Sequence, residues 1–220
     1  MSWCETPRRV ADEQVDDAAL MSAWAGGDDA AGHDLLQRFY VPLLRFFRNK
    51  APDVSEDLAQ RTFVALLENR ERLAQVSSFR AYVFGVARNH LLLHLRSSYR
   101  SGARFDADVW SIVQLSGGAR GAVIAEARRD LVRRGLQAIP IDYQIALELF
   151  YFEDMSVAEI ADVQDAKAGA IKTRLSRGRV MLRDKLAELC DQRELLDSTN
   201  ADLDKWLRSL PAALKKTPEG

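Results

Sequence analysis

Lys172, Thr173, Ser176, Arg177 and Arg179 crowd into one short stretch of the 220-residue chain. Arg and Lys reach guanine acceptors and phosphates, and Thr and Ser reach either, so a helix presenting these residues on one face suits a DNA major groove. A second basic stretch, residues 81–105, carries Arg88, Arg96, Arg100 and Arg104 with no acid. A different chemistry is conceivable at His90 and His94, spaced i, i+4, with Asp53, Glu56 and Asp57 as further metal ligands. The intervening Leu91-Leu92-Leu93 supplies no HExxH base, and no nucleophile motif accompanies the pair, so catalysis and bound metal are not expected. Cys4 and Cys190 give neither a metal spacing nor a disulfide framework, and no cofactor motif appears.

The elements that must position the first set begin at Ser156. Ser156 with Glu159 three residues later is a capping-box pattern, so a helix starts near Val157. Val157, Ile160, Ala161 and Val163 form its apolar stripe, and residues 164–167 the turn. Ala168, Ile171, Leu175 and Leu182 then recur at helical spacing, which leaves Lys172, Thr173, Ser176, Arg177 and Arg179 outside that stripe. The arrangement reads as a helix-turn-helix with a cationic second helix.

Upstream, residues 16–104 read as four helices. The first starts at Asp16, the Gly26-Gly27 pair breaks the chain, and Asp28 caps a strongly amphipathic second helix. Leu35, Leu36, Phe39, Tyr40, Leu43, Leu44 and Phe47 are its expected core, and Pro42 predicts a kink or restart. Ser55 is the expected cap of a third helix, with Leu58, Phe63, Leu66 and Leu67 inward and Glu56, Asp57, Gln60 and Thr62 outward. Ser77 opens a fourth that reaches about Arg100, with Phe79, Val83, Val86, Leu91 and Leu95 as core. Gly85 weakens its middle by roughly 1 kcal/mol relative to Ala.

Composition agrees with two small helical domains. Hydrophobic residues make up 47% of the chain, enough for a core in each, and the net charge of −1 argues against a protein that coats nucleic acid unaided. The charge is segregated: residues 167–185 hold seven cations against Asp184 alone, while acids gather in the N-terminal arm. No leader-like apolar segment opens the sequence and no apolar run approaches the roughly 20 residues a bilayer requires, so a cytoplasmic protein is expected. The domain reading is an arm over 1–15, a helical domain over 16–104, a linker over 105–128, the helix-turn-helix domain over 129–189 and an extension over 190–220. In that extension Leu203, Trp206, Leu207 and Leu210 fall at i, i+3, i+4 and i+7, an apolar stripe too small to stand alone. Two readings stay open: it docks on one of the domains or on a regulator and so tunes activity, or it is a frayed acidic tail.

The segment AIPIDYQIALELFYFEDMSVAEIA and the helix after it resemble region 4 of bacterial sigma factors. DDAALMSAWAGGDDAA, FYVPLLRFF, EDLAQRTFVALL and SFRAYVFGVARNHLLLHLR, in that order, resemble region 2. Both patterns in one chain identify it as similar to the extracytoplasmic function (ECF) group of the sigma-70 family. The resemblance implies an all-α fold, with region 2 and a helix-turn-helix region 4 joined by a flexible linker. It implies a non-enzymatic factor, monomeric in the holoenzyme, that binds core RNA polymerase at its clamp helices and flap and directs promoter recognition, melting and transcription initiation.

The same resemblance assigns residues. Lys172, Thr173, Arg174, Ser176, Arg177 and Arg179 would read the minus-35 element. Leu73, Ser77, Ser78 and Asn89, with Arg80, Arg88, Arg96 and Arg100, would hold the minus-10 element and aid melting. Asp57, Gln60, Arg61 and Thr62 would grip core polymerase, with Arg61 standing where relatives often have Glu. Asp165 and Asp154 replace usual glycines, Lys167 replaces a usual Ser cap, and Gly178 sits inside the recognition helix. An anti-sigma factor or other regulator is a further implied partner. The alternative is a stand-alone helix-turn-helix repressor or activator, which would explain Ser156 to Arg183 but not the block from Asp16 to Arg100.

Overall fold

The computed structural model describes residues 16–100, 130–189 and Leu207, and every regular element among them is helical. The order is α1 (Asp17–Ala25), α2 (Asp29–Arg48), α3 (Ser55–Glu68), α4 (Phe79–Arg100), α5 (130–137), α6 (Ile141–Tyr151), α7 (Val157–Val163) and α8 (Ala168–Leu189). Short 3-10 turns at Pro52–Val54 and Arg70–Gln75 flank α3. The arm, the linker and most of the extension lie outside the described residues.

Two compact units form. The first contains α1 to α4 together with α7, and the second contains α5, α6, α8 and Leu207. In the first, α1 ends at Gly26 and turns through Gly27, whose φ of 102° lies in the left-handed region. Asp28 then caps α2, its Oδ1 accepting hydrogen bonds from the amides of Ala30 at 3.0 Å and Ala31 at 3.2 Å. α2 runs through Pro42 as one helix, so the expected restart does not occur. An aromatic cluster joins α1, α2 and α4: Phe79 meets Trp24 edge-on at 6.1 Å and Phe39 at 5.2 Å, and Phe46 meets Phe84 at 5.5 Å. Gly32 makes room for it, since a Cβ there would stand 2.4 Å from Trp24 Nε1.

Several inward assignments change. Tyr40 is exposed and stacks on Phe63 at 6.3 Å, Leu67 is half exposed, and Phe46 is buried in their place. Val86 and Leu95 are only partly covered, whereas Ala81, Phe84 and Ala87 complete the buried face of α4. Ser55 does not cap α3; it is the first helical residue and its hydroxyl donates to the Pro52 carbonyl at 3.0 Å. The cap of α4 is Ser78 rather than Ser77, with Ser78 Oγ accepting from the Ala81 amide at 3.2 Å.

In the second unit, α5 approaches α8 closely at Gly135, where a Cβ would stand 2.9 Å from both Leu182 and Leu186. Ile145, Leu147, Leu149, Ile171, Leu175, Leu182 and Leu186 form its core, with Tyr151 and Leu207 each 1% exposed.

Candidate nucleic-acid interface

α8 divides cleanly. Ile171, Leu175, Gly178, Leu182 and Leu186 are buried, and Lys172, Thr173, Ser176 and Arg177 are exposed together with Val180. The exposed residues follow at i, i+1, i+4, i+5 and i+8, so one face of the helix carries two cations and two hydroxyls. Thr173 Oγ1 donates to the Gly169 carbonyl at 3.0 Å, which fixes its rotamer and leaves its lone pairs outward. Arg174 is half-buried at the flank. Arg179 is also half-buried, and its Nη1 donates to Tyr151 Oη at 3.1 Å.

Gly178 has a packing role. A Cβ at this position would lie 3.3 Å from Leu147 Cγ and Cδ1 and 3.5 Å from Tyr143 Cβ, so glycine lets α8 lie close on α6. The two departures at turn positions also acquire a physical meaning. Asp154 and Asp165 adopt φ of 50° and 46°, so both occupy the left-handed region that favours glycine, where the family pattern leads one to expect that residue. The turn after α7 is held by the Asp165 amide on the Asp162 carbonyl and the Ala166 amide on the Ala161 carbonyl.

The capping box at α7 is complete. Ser156 Oγ accepts from the Glu159 amide at 3.2 Å, and Glu159 Oε2 accepts from the Ser156 amide at 2.9 Å. Glu159 Oε1 also accepts from the Ser78 hydroxyl at 2.9 Å. Burial pushes the Glu159 carboxyl up, but the Ser156 amide, the Ser78 and Ser156 hydroxyls and the Arg80 charge together outweigh it and hold it below the usual value.

The minus-10 candidates separate. Asn89 and Arg96 are exposed and lie one above the other at i and i+7 on α4, with Leu93, 61% exposed, between them. Position 100 continues the same helical stripe. Ser77 is exposed before the helix, Ser78 and Arg80 are partly covered beside Glu159, and Arg88 is half-buried off the stripe. Leu73 is 0% exposed and must be withdrawn as a DNA contact: it anchors the Arg70–Gln75 turn, which packs on α1. Its apolar side chain is a wedge for the loop rather than a ligand for a base. Sequence reasoning misses Leu93 because one leucine in a Leu-rich run has no distinguishing type; only its helical phase relative to Leu91 marks it as outward.

On α3, Asp57, Gln60 and Arg61 are exposed and share a face with Val64 and Leu67, each 51% exposed. Arg61 Nε pairs with Asp57 Oδ2 at 2.9 Å, so the cation is answered within its own helix. Thr62 is corrected: it is 0% exposed, its hydroxyl donates to the Leu58 carbonyl at 2.8 Å, and it belongs to the core. The 57, 60, 64, 67 spacing would have found Val64 and Leu67, had apolarity not argued for the inside. Burial and then the Arg61 charge lower the pKa of His90 on α4. Among the described residues no group of three metal-ligating side chains assembles, and no helix is long and apolar enough to cross a membrane.

Comparison with known proteins identifies the family. Residues 33–101 match the family model "Sigma-70 region 2" and residues 129–182 match "Sigma-70, region 4", together more than half of the chain. The RNA polymerase sigma factor HrpL of Pseudomonas syringae pv. syringae is 26% identical over 162 residues, covering 71% of this chain and 88% of the relative. The ECF RNA polymerase sigma-E factors of Salmonella typhimurium and Escherichia coli K12 are each 25% identical over 187 residues, covering 80% of this chain and 97% of theirs. In fold, the chain is similar to CnrH, solved in complex with the cytosolic domain of CnrY, with a TM-score of 0.56 at 24% identity, over 80% of this chain and 99% of that one. It is similar also to the sigma factor RpoE of Bartonella quintana, solved with the anti-sigma factor NepR, with a TM-score of 0.54 at 23% identity, over 72% of this chain and 99% of that one. With both sigma regions in family order and ECF factors as relatives along most of its length, the chain belongs to the sigma-70 family as an ECF sigma factor, a protein of transcription initiation.

Proposed function

We propose that this sigma factor loads onto core RNA polymerase through the outer face of α3 and reads a promoter with two separate surfaces. The observation that carries the reading is the exposed face of α8. Lys172, Thr173, Ser176 and Arg177 stand free of the packed stripe, in the arrangement a helix needs to meet base edges. This face takes the minus-35 element, with Arg174 and Arg179 on the backbone at its flank.

Melting requires a surface that prefers unpaired bases, because unstacking costs a few kcal/mol that binding of the extruded base must offset. Asn89, Leu93 and Arg96 combine a hydrogen-bonding group, apolar area and a phosphate-neutralising charge on one stripe, which suits a single strand. Ser77 and Ser78 lie at the head of the same helix. Asp57, Gln60 and Arg61 supply the polar part of the polymerase contact, and Val64 and Leu67 the apolar part. The chain itself performs no covalent step, and it acts as a monomer within the holoenzyme, in the cytoplasm. An anti-sigma factor is a fitting regulator, since RpoE was solved with one bound.

Run-off transcription with core polymerase on a genomic promoter library tests the reading. Discrete starts sharing two upstream elements are expected. Arg177→Ala should weaken binding and relax specificity at one minus-35 position by about 1 to 3 kcal/mol, the worth of a bidentate base contact. Retention of the chain by core polymerase no better than an irrelevant protein would overturn it, and tight specific duplex binding without polymerase would favour a repressor.

A further inference from the structure

Tyr151 closes α6 with its ring 1% exposed and set edge-on to Phe150 at 5.0 Å. A phenol buried this deeply must place its hydroxyl on a polar partner, and the Tyr151 Oη accepts from Arg179 Nη1 at 3.1 Å. The two meet because glycine at 178 lets α8 settle against Leu147 and Tyr143 of α6, and Arg179 is the next residue. The phenol thus orients the guanidinium without itself adding an opposing charge. Fixing a long side chain in advance reduces the conformational entropy that binding must otherwise overcome.

We propose that Tyr151 is a positioning residue for promoter binding: its buried hydroxyl holds the Arg179 guanidinium at the flank of α8, oriented for a DNA phosphate. This rests on the reading of α8 as the promoter-contacting helix. Gly178 completes the device, since it allows the approach that brings donor to acceptor.

The test uses the full chain loaded on core polymerase and the promoter fragment recovered by run-off transcription. Binding is followed against salt concentration for wild type, Tyr151→Phe, Arg179→Ala and the double variant, and thermal melting is followed for each free chain. Tyr151→Phe keeps the ring and removes only the hydroxyl. It should bind about three- to tenfold more weakly, within the range of coupling between residues of one hydrogen-bond network. Its plot of log affinity against log salt should be shallower by up to about 0.9, the slope for one phosphate contact. A merely structural role would lower the melting temperature without changing that slope. The double variant should bind no more weakly than Arg179→Ala alone.

Wild-type binding by Tyr151→Phe, with clear loss in Arg179→Ala, would overturn the positioning role and leave the reading of α8 intact. Independent, multiplying losses in the double variant would also overturn it. Wild-type binding by Arg179→Ala would remove Arg179 from the DNA interface, and the proposal with it.

Discussion

Asp165 shows how a single residue can hold the strain of a turn. At φ 46° it occupies the left-handed region, which costs an L-residue about 1–2 kcal/mol and costs Asp or Asn least, because the short polar side chain can bond locally. Asp165→Ala should therefore lower stability by about 1 kcal/mol, whereas Asp165→Gly should match or exceed the wild type, as chemical denaturation midpoints would report. Glu159 makes a second prediction through pH. Its carboxyl is held below the ordinary value of 4.5, so the native state favours its charged form more than the unfolded chain does. That contribution is fully present above pH 4.5 and is lost as pH falls through the folded value. Glu159→Gln should lower stability at pH 7 and flatten the dependence on pH below 4.5, and an unchanged acid limb would show that Ser156, Ser78 and Arg80 do not hold the charge.

At the scale of the element, glycines separate close approach from mere weakness. Gly32 faces Trp24, itself 1% exposed, so Gly32→Ala should overpack the first unit and cost about 1–3 kcal/mol. A Cβ added at Gly85 in α4 would meet nothing within 4 Å, so Gly85→Ala should instead stabilise by about 1 kcal/mol through helix propensity. Opposite shifts of melting temperature, about 4–8 °C per kcal/mol for a domain of this size, would establish the contrast. Local chemistry is legible in the sequence: the Asp28 cap, the Ser156 to Glu159 box and the split faces of α8 depend on residues within one or two turns. The inner side of α3 is legible only in part: Leu58 and Leu66 are covered as expected, but Phe63, Val64 and Leu67 extend the apolar side chains around more than half of its circumference. Packing against α2 and α4 decides which are covered, and it takes Leu58, Thr62 and Leu66. Gly178 is illegible for the same reason, since its role lies in Leu147 and Tyr143, far back along the chain on α6.

At the scale of the whole molecule, compactness and family boundaries cut the chain differently: the segment 129–182 matches one sigma region, yet α7 clusters with α1 to α4. The far end of the chain bears on the second unit. Leu207 is helical, 1% exposed and part of that unit. Burial this complete requires packed neighbours, and Leu207 groups with the second unit. Covering a leucine is worth about 1.5–3 kcal/mol, and replacing it by Ala in a packed site costs about 2–5 kcal/mol. Leu207→Ala and truncation after Cys190 should both lower the melting temperature of the purified protein, with run-off transcription falling more steeply on warming than for the full chain. Truncation should cost at least as much as Leu207→Ala, because it removes Leu203, Trp206 and Leu210 as well. Wild-type melting and wild-type output in both variants would mean that residues 190–220 take no part in folding or activity, whatever covers Leu207.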